Sequence, residues 1–245
     1  MPTFGLAVMG CSGGMGTGGS QSDEEKFEEN KELLWSVIES VFKTDEEDAI
    51  IAIVISLVME LSMIPLEEVE IKVLAFIKNS FCHLSPLTMS KLWQTLGTAW
   101  RKNSLEYSNL KKSLECFDKA IEIGPTNPYS WSEKGRILVD LKRPDEALKC
   151  FDKAIEIGPT NPYSWSEKGC TLVNLNRVEE AIECYNKAIE INPEDFDLWH
   201  CRATLKATQD NIEGALNDLE KAISLNKECA GKPLNNKIFI KILKP

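Results

Sequence analysis

The chain has 245 residues, 43% hydrophobic and 27% charged, which suits a globular protein with a real core. Its formal net charge is −10, so a phosphate backbone is repelled and nucleic acid is not an expected partner. Among its eight cysteines, Cys116, Cys150 and Cys184 recur every 34 residues and no CxxC occurs. That pattern points to repeat geometry and reduced thiols in a cytoplasmic protein, not a disulfide framework or a zinc site.

Residues 1–21 hold seven of the 14 glycines and are expected to be a disordered tail, because they cannot bury enough apolar surface to offset ordering entropy. Gly13 to Ser20 has the outline of a phosphate loop, but Gly19 stands where the lysine belongs. A secretory signal is not expected, since no basic stretch leads into a long apolar run. From Ser22 a capping box with Glu25 opens a helical region over 22–89. Thr44 with Glu47 opens the next helix, and Pro65 starts a third. The apolar run 49–64 contains Glu60 and is flanked by acids. It is too short for the ~20 residues of a membrane span, so it reads as a buried central helix and membrane attachment is disfavoured.

Residues 116–135 and 150–169 are identical, CFDKAIEIGPTNPYSWSEKG, and start 34 residues apart. Pro125, Pro159 and Pro193 mark unit ends, giving four units at 90–127, 128–161, 162–195 and 196–229, each expected to be two antiparallel helices. Asn127-Pro128 and Asn161-Pro162 supply an N-cap and a first-turn proline. Gly124 and Gly158 are expected to be left-handed C′ glycines. The tail 230–245 carries Lys232, Lys237, Lys241 and Lys244 among apolar residues and is expected to cover the open end of the array.

In the second unit Trp131, Gly135, Leu138, Ala147, Phe151, Ala154 and Pro159 recur at the spacing of the tetratricopeptide repeat. In the third they are Trp165, Gly169, Leu172, Ala181, Tyr185, Ala188 and Pro193. The chain resembles that family over 90–229. Lys134 and Lys168 stand where the family has leucine, and their stems are expected to cover apolar surface while the ammonium reaches water. The first unit carries four extra residues between its half-motifs. The fourth places Arg202, Lys206 and Lys227 at core positions, as expected of a capping repeat.

The resemblance implies an all-α superhelical solenoid, a tetratricopeptide array with an N-terminal helical region, whose concave face binds a protein or peptide. Carried over by position, the contact residues are Tyr129, Ser132, Glu133, Arg136, Val139 and Asp140 in the second unit. In the third they are Tyr163, Ser166, Glu167, Cys170, Val173 and Asn174, and in the fourth Asp197, His200, Cys201 and Thr204. One subfamily grips a chaperone's C-terminal carboxylate with a Lys/Asn/Arg clamp. Here Glu133 and Glu167 occupy the place of the Asn or Arg, and they repel a carboxylate, so no such clamp is expected. A ligand with basic or neutral polar groups suits the face better. Cys170, His200 and Cys201 share a face but form no compact metal motif, and neither metal nor cofactor is expected. The expected function is a noncatalytic scaffold or adaptor. The competing class is a nucleotide-binding or enzymatic unit in 1–89 with the repeats as a recruiting module.

Overall fold

The computed structural model describes residues 84–102 and 107–226, with the isolated positions Ile71 and Ala75. The expectations for 1–21, for the helices of 22–82 with their apolar run 49–64, and for the tail 230–245 lie outside the described residues. The described helices fall in the compact unit Ile51–Pro245.

Eight helices and no strand occur among the described residues: α1 Pro86–Lys102, α2 Tyr107–Ile123, α3 Pro128–Asp140, α4 Pro144–Ile157, α5 Pro162–Asn174, α6 Val178–Ile191, α7 Phe196–Thr208 and α8 Ile212–Leu225. They pack as successive hairpins, α1 with α2, α3 with α4, α5 with α6 and α7 with α8, each also resting on the first helix of the next pair. In addition α1 reaches α3 and α3 reaches α5, so the first helices of the pairs line one side. This is an all-α solenoid, in which each pair buries its apolar faces against its neighbours.

Local chemistry explains the helix starts. Asn127 and Asn161 accept hydrogen bonds from the backbone N–H of Tyr129 and Tyr163 at 3.0 and 3.1 Å, and Pro128 and Pro162 fill positions that need no N–H. Asp195 does the same for Asp197. The indoles of Trp131, Trp165 and Trp199 donate to the carbonyls of Pro125, Pro159 and Pro193 at 2.9, 3.1 and 2.8 Å. Each first helix is thus tied to the turn before it.

Close approach within a pair is set by one glycine. A Cβ on Gly135 would stand 2.6 Å from the Phe151 ring, and one on Gly169 would stand 3.1 Å from Tyr185. In the fourth pair the equivalents are Ala203 and Leu219, so a smaller partner accompanies the larger helix residue. Ala147, Ala154, Ala181 and Ala188 are fully buried, as small residues at crossing points must be.

Four expectations are refined. Gly158 is not left-handed: its φ is −130°, the same as Asn192 at the equivalent place. Its lack of a side chain makes room instead, since a Cβ would lie 3.1 Å from the Pro128 ring. The left-handed positions are Lys142, Asn176 and Asp210, with φ of 63°, 58° and 60°, at the turns inside the second, third and fourth pairs. The position-7 lysines bridge units, Lys134 Nζ to Asp118 at 2.6 Å and Lys168 Nζ to Asp152 at 2.7 Å.

The extra turn of the first unit lies mainly at the start of α2, which has 17 residues where α4 has 14. In the fourth pair two core cations share one carboxylate. Buried Asp218 accepts from Arg202 Nε and Nη2 at 2.8 and 2.7 Å, and Lys206 Nζ sits at 2.9 Å. This is internal pairing across α7 and α8.

Candidate concave binding face

The residues carried over from the repeat pattern fall on α3, α5 and α7, and α1 adds Thr98 and Arg101. Successive first helices touch along this face. The Tyr129 hydroxyl lies 3.4 Å from Thr98 Oγ1, and Tyr129 is 40% exposed with its ring edge-on to Phe117. One unit further, Tyr163 takes the place of Tyr129 and Arg136 that of Thr98. The Tyr163 hydroxyl donates to Glu133 Oε1 at 2.9 Å and accepts from Arg136 Nη1. Burial, and then the charges of Glu133 and Glu167, push the Tyr163 phenol upward, so it remains a protonated donor.

Glu133 is only 3% exposed. Besides Tyr163, it pairs with Arg136 Nη1 at 3.0 Å and Arg101 Nε at 3.2 Å. Its carboxylate is built into the interior and is not offered to a ligand, which corrects its expected groove position. Ser132 is likewise fully buried, and its hydroxyl bonds that of Ser164 at 2.7 Å. Both side chains turn toward the junction of α3 and α5, because consecutive first helices pack there.

Glu167 occupies the place of Glu133 one unit on but keeps one ion pair, Arg136 Nε at 3.5 Å, with 28% of its side chain exposed. Burial, opposed by Arg136 and aided by Glu133, holds its carboxyl above the usual glutamate value. The two glutamates and two arginines balance among themselves, while exposed Asp140 and Asp197 leave the face mildly acidic. Arg136 also lies over the Tyr163 ring, 5.6 Å from its centroid.

The remaining residues divide by exposure. Asp140, Cys170, Asn174 and Asp197 are exposed, Val173 is 37% exposed and Val139 is half-buried. Half-buried Ser166 donates to the Tyr163 carbonyl at 2.9 Å, and Thr204 donates to the His200 carbonyl at 2.9 Å. Burial first, and then the neighbouring Cys201 and Cys170 thiols, push the phenol of buried Tyr185 upward, and burial raises the Cys201 thiol. His200 does not join them, and no group of three metal-ligating side chains forms among the described residues. Thr98 and Arg101 were not named from the sequence, and Tyr185 was named there only as a packing position of the repeat. Arg101 and Thr98 sit at contact positions of the irregular first unit, and Tyr185 comes from a second helix.

A groove of about 450 Å³ lies between α5 and α6, with Trp165, Leu172 and Cys184 among its lining and Glu180, Glu183 and Glu190 at its rim. Among the described residues no helix is long and apolar enough to cross a membrane.

A tetratricopeptide repeat model matches residues 128–161 and 162–195, and a second tetratricopeptide repeat model matches 184–224. No curated protein matches the sequence. Among solved structures, the chain is similar to the crystal structure of MamA, at 15% identity over 67% of this chain and 91% of that one, with a TM-score of 0.58. A MamA fragment from Desulfovibrio magneticus RS-1 gives 16% identity, 77% and 98% coverage and a TM-score of 0.56. YrrB, described as a TPR protein with an unusual peptide-binding site, gives 22% identity, 83% and 96% coverage and a TM-score of 0.53. At these identities the likeness is one of fold. Together with the Gly-to-aromatic approach and the indole-to-proline ties, the matched models show that residues 128–224 are tetratricopeptide repeats.

Proposed function

We propose that the array is a noncatalytic interaction scaffold that takes a partner protein or peptide on the face formed by α1, α3, α5 and α7. The observation that carries this reading is the linked row across three units, Thr98 with Tyr129, then Arg136 with Tyr163. These contacts hold exposed aromatic and polar groups in fixed register along one surface, which is what an extended ligand needs. The peptide-binding site named for YrrB supports the same use of the fold. The five described cysteines are free, and a raised, buried thiol such as Cys184 at about 11 is inert. This fits the reduced cytoplasmic setting we assign. Glu167 disfavours a terminal carboxylate, so the ligand is not held by a carboxylate clamp.

The test is crosslinking of the full chain in native lysate followed by mass spectrometry. Crosslinks should cluster on α3, α5 and α7 and fall away in the double variant Tyr129→Ala, Asp140→Arg. Crosslinks confined to residues 1–89, together with turnover of a small molecule, would overturn the reading in favour of an enzymatic unit.

A further inference from the structure

The two position-6 glutamates have the same sequence before them and different numbers of partners, although Glu133 Oε2 is buried without a hydrogen bond, its approach to Arg101 Nε being an ion pair. Glu133 has three partners: Arg101 from the preceding unit, Arg136 three residues on, and Tyr163 from the following unit. At the equivalent places around Glu167 stand Val139, Cys170 and Asp197, none of which carries a cation. Only the longer contact from Arg136 remains. Exposed Cys170 and Val173 leave the carboxylate reachable from the face.

We infer that Glu167 is the subsite for a lysine or arginine side chain of the bound partner, which takes the place that Arg136 takes at Glu133. This rests on the concave-face reading above and deepens it. A largely buried carboxylate with one distant partner costs stability, and its burial already favours the protonated form. A ligand cation would supply the missing charge-assisted hydrogen bonds. The apolar stem would run over Val173 and the Cys170 thiol. The Glu167 carboxylate is sheltered yet keeps one long ion pair, whereas Asp140 and Asp197 on the same face are exposed and Glu133 is sealed in the interior.

The experiment is selection of a random peptide display library on the full chain, followed by affinity measurement on variants. Glu167→Gln removes the charge, and Cys170→Arg rebuilds the Glu133 arrangement so that Glu167 is satisfied internally. Glu156→Gln removes the same charge from exposed α4 and controls for the general attraction of an acidic protein. The expected result is enrichment of lysine or arginine peptides whose affinity falls at least about tenfold in the first two variants and is unchanged in the third. Peptides that bind the face without a basic residue, or equally well in Glu167→Gln, would overturn the inference while leaving the binding face standing. Failure to select any peptide sensitive to Tyr129→Ala, Asp140→Arg or Glu167→Gln would overturn both.

Discussion

Residues 116–135 and 150–169 are the same twenty amino acids in two places, yet the tyrosine, the serines and the glutamate of their second halves have different environments in the two copies. Glu133 is sealed by three partners and Glu167 by one. The Ser164 hydroxyl bonds Ser132, whereas the Ser130 hydroxyl is buried with no partner. Tyr129 is exposed beside a threonine and Tyr163 is drawn into an arginine and a glutamate. The backbone of each copy is specified within the copy. The chemistry of its face is specified by the units before and after it, so duplication multiplied the scaffold without multiplying the site.

The sharpest way to break the comparison is to neutralise each glutamate in turn. Glu133→Gln leaves Arg101 and Arg136 without their shared carboxylate. Both arginines are partly solvated, so a loss of about 2–3 kcal/mol is expected, below the full cost of opening a buried pair. Glu167→Gln should leave stability unchanged or slightly raised at neutral pH. The sign follows from linkage. A carboxyl raised in the fold contributes stability that is fully present below the unfolded value near 4.5 and lost as pH rises through the folded value. The wild type should therefore gain stability, relative to Glu167→Gln, as pH falls from neutral toward that value. Urea denaturation of both variants at two pH values measures this, and equal losses at Glu133 and Glu167 would erase the asymmetry.

Next in size is the glycine pair. An added methyl at Gly135 would collide with Phe151 at 2.6 Å, while at Gly169 it would meet Tyr185 at 3.1 Å, a distance that a small shift relieves. Gly135→Ala is expected to cost about 2–3 kcal/mol and Gly169→Ala roughly half as much. Thermal unfolding of the two single variants decides it.

The serine pair should differ in sign. Ser164→Ala leaves the buried Ser132 hydroxyl unsatisfied and should cost about 1 kcal/mol. Ser130→Ala removes a buried hydroxyl that has no partner and should be neutral or stabilising by a few tenths. Denaturant midpoints that move the same way for both would show that their surroundings are alike after all.

Much of the architecture was legible because it is local or periodic. The 34-residue spacing, the Asn-Pro helix starts and the proline stops each act within a few residues. The face was legible by position and illegible by exposure. Ser132 and Glu133 occupy contact positions, but their burial depends on Ser164, Arg101 and Tyr163 in other units. Arg101 lies at a contact position ahead of the insertion, and its role depends on α1 packing against α3, where it meets Glu133. The partner of the core charge of Arg202 was not legible, because Asp218 lies sixteen residues on, in the other helix of the pair.

The smallest expected effect lies in the turns inside the pairs. Lys142, Asn176 and Asp210 are left-handed, and the next residues, Arg143, Arg177 and Asn211, donate to Leu138, Leu172 and Lys206 at 2.8, 2.9 and 3.0 Å. The helix-ending motif expected at Gly158 is thus found at the opposite end of the hairpin. Asn and Asp tolerate this conformation because their short side chains bond locally, whereas a lysine strains against its own Cβ. Lys142→Asn should therefore stabilise by about 0.5–1 kcal/mol, and Asn176→Lys should destabilise by a similar amount. Lys142 and Asn176 lie outside the identical segments, one in each unit. If exchanging them shifts the denaturation midpoints in opposite directions, the second unit carries a backbone strain that the third has shed. If neither midpoint moves, the two turns are equivalent and the difference between the units resides in the face alone.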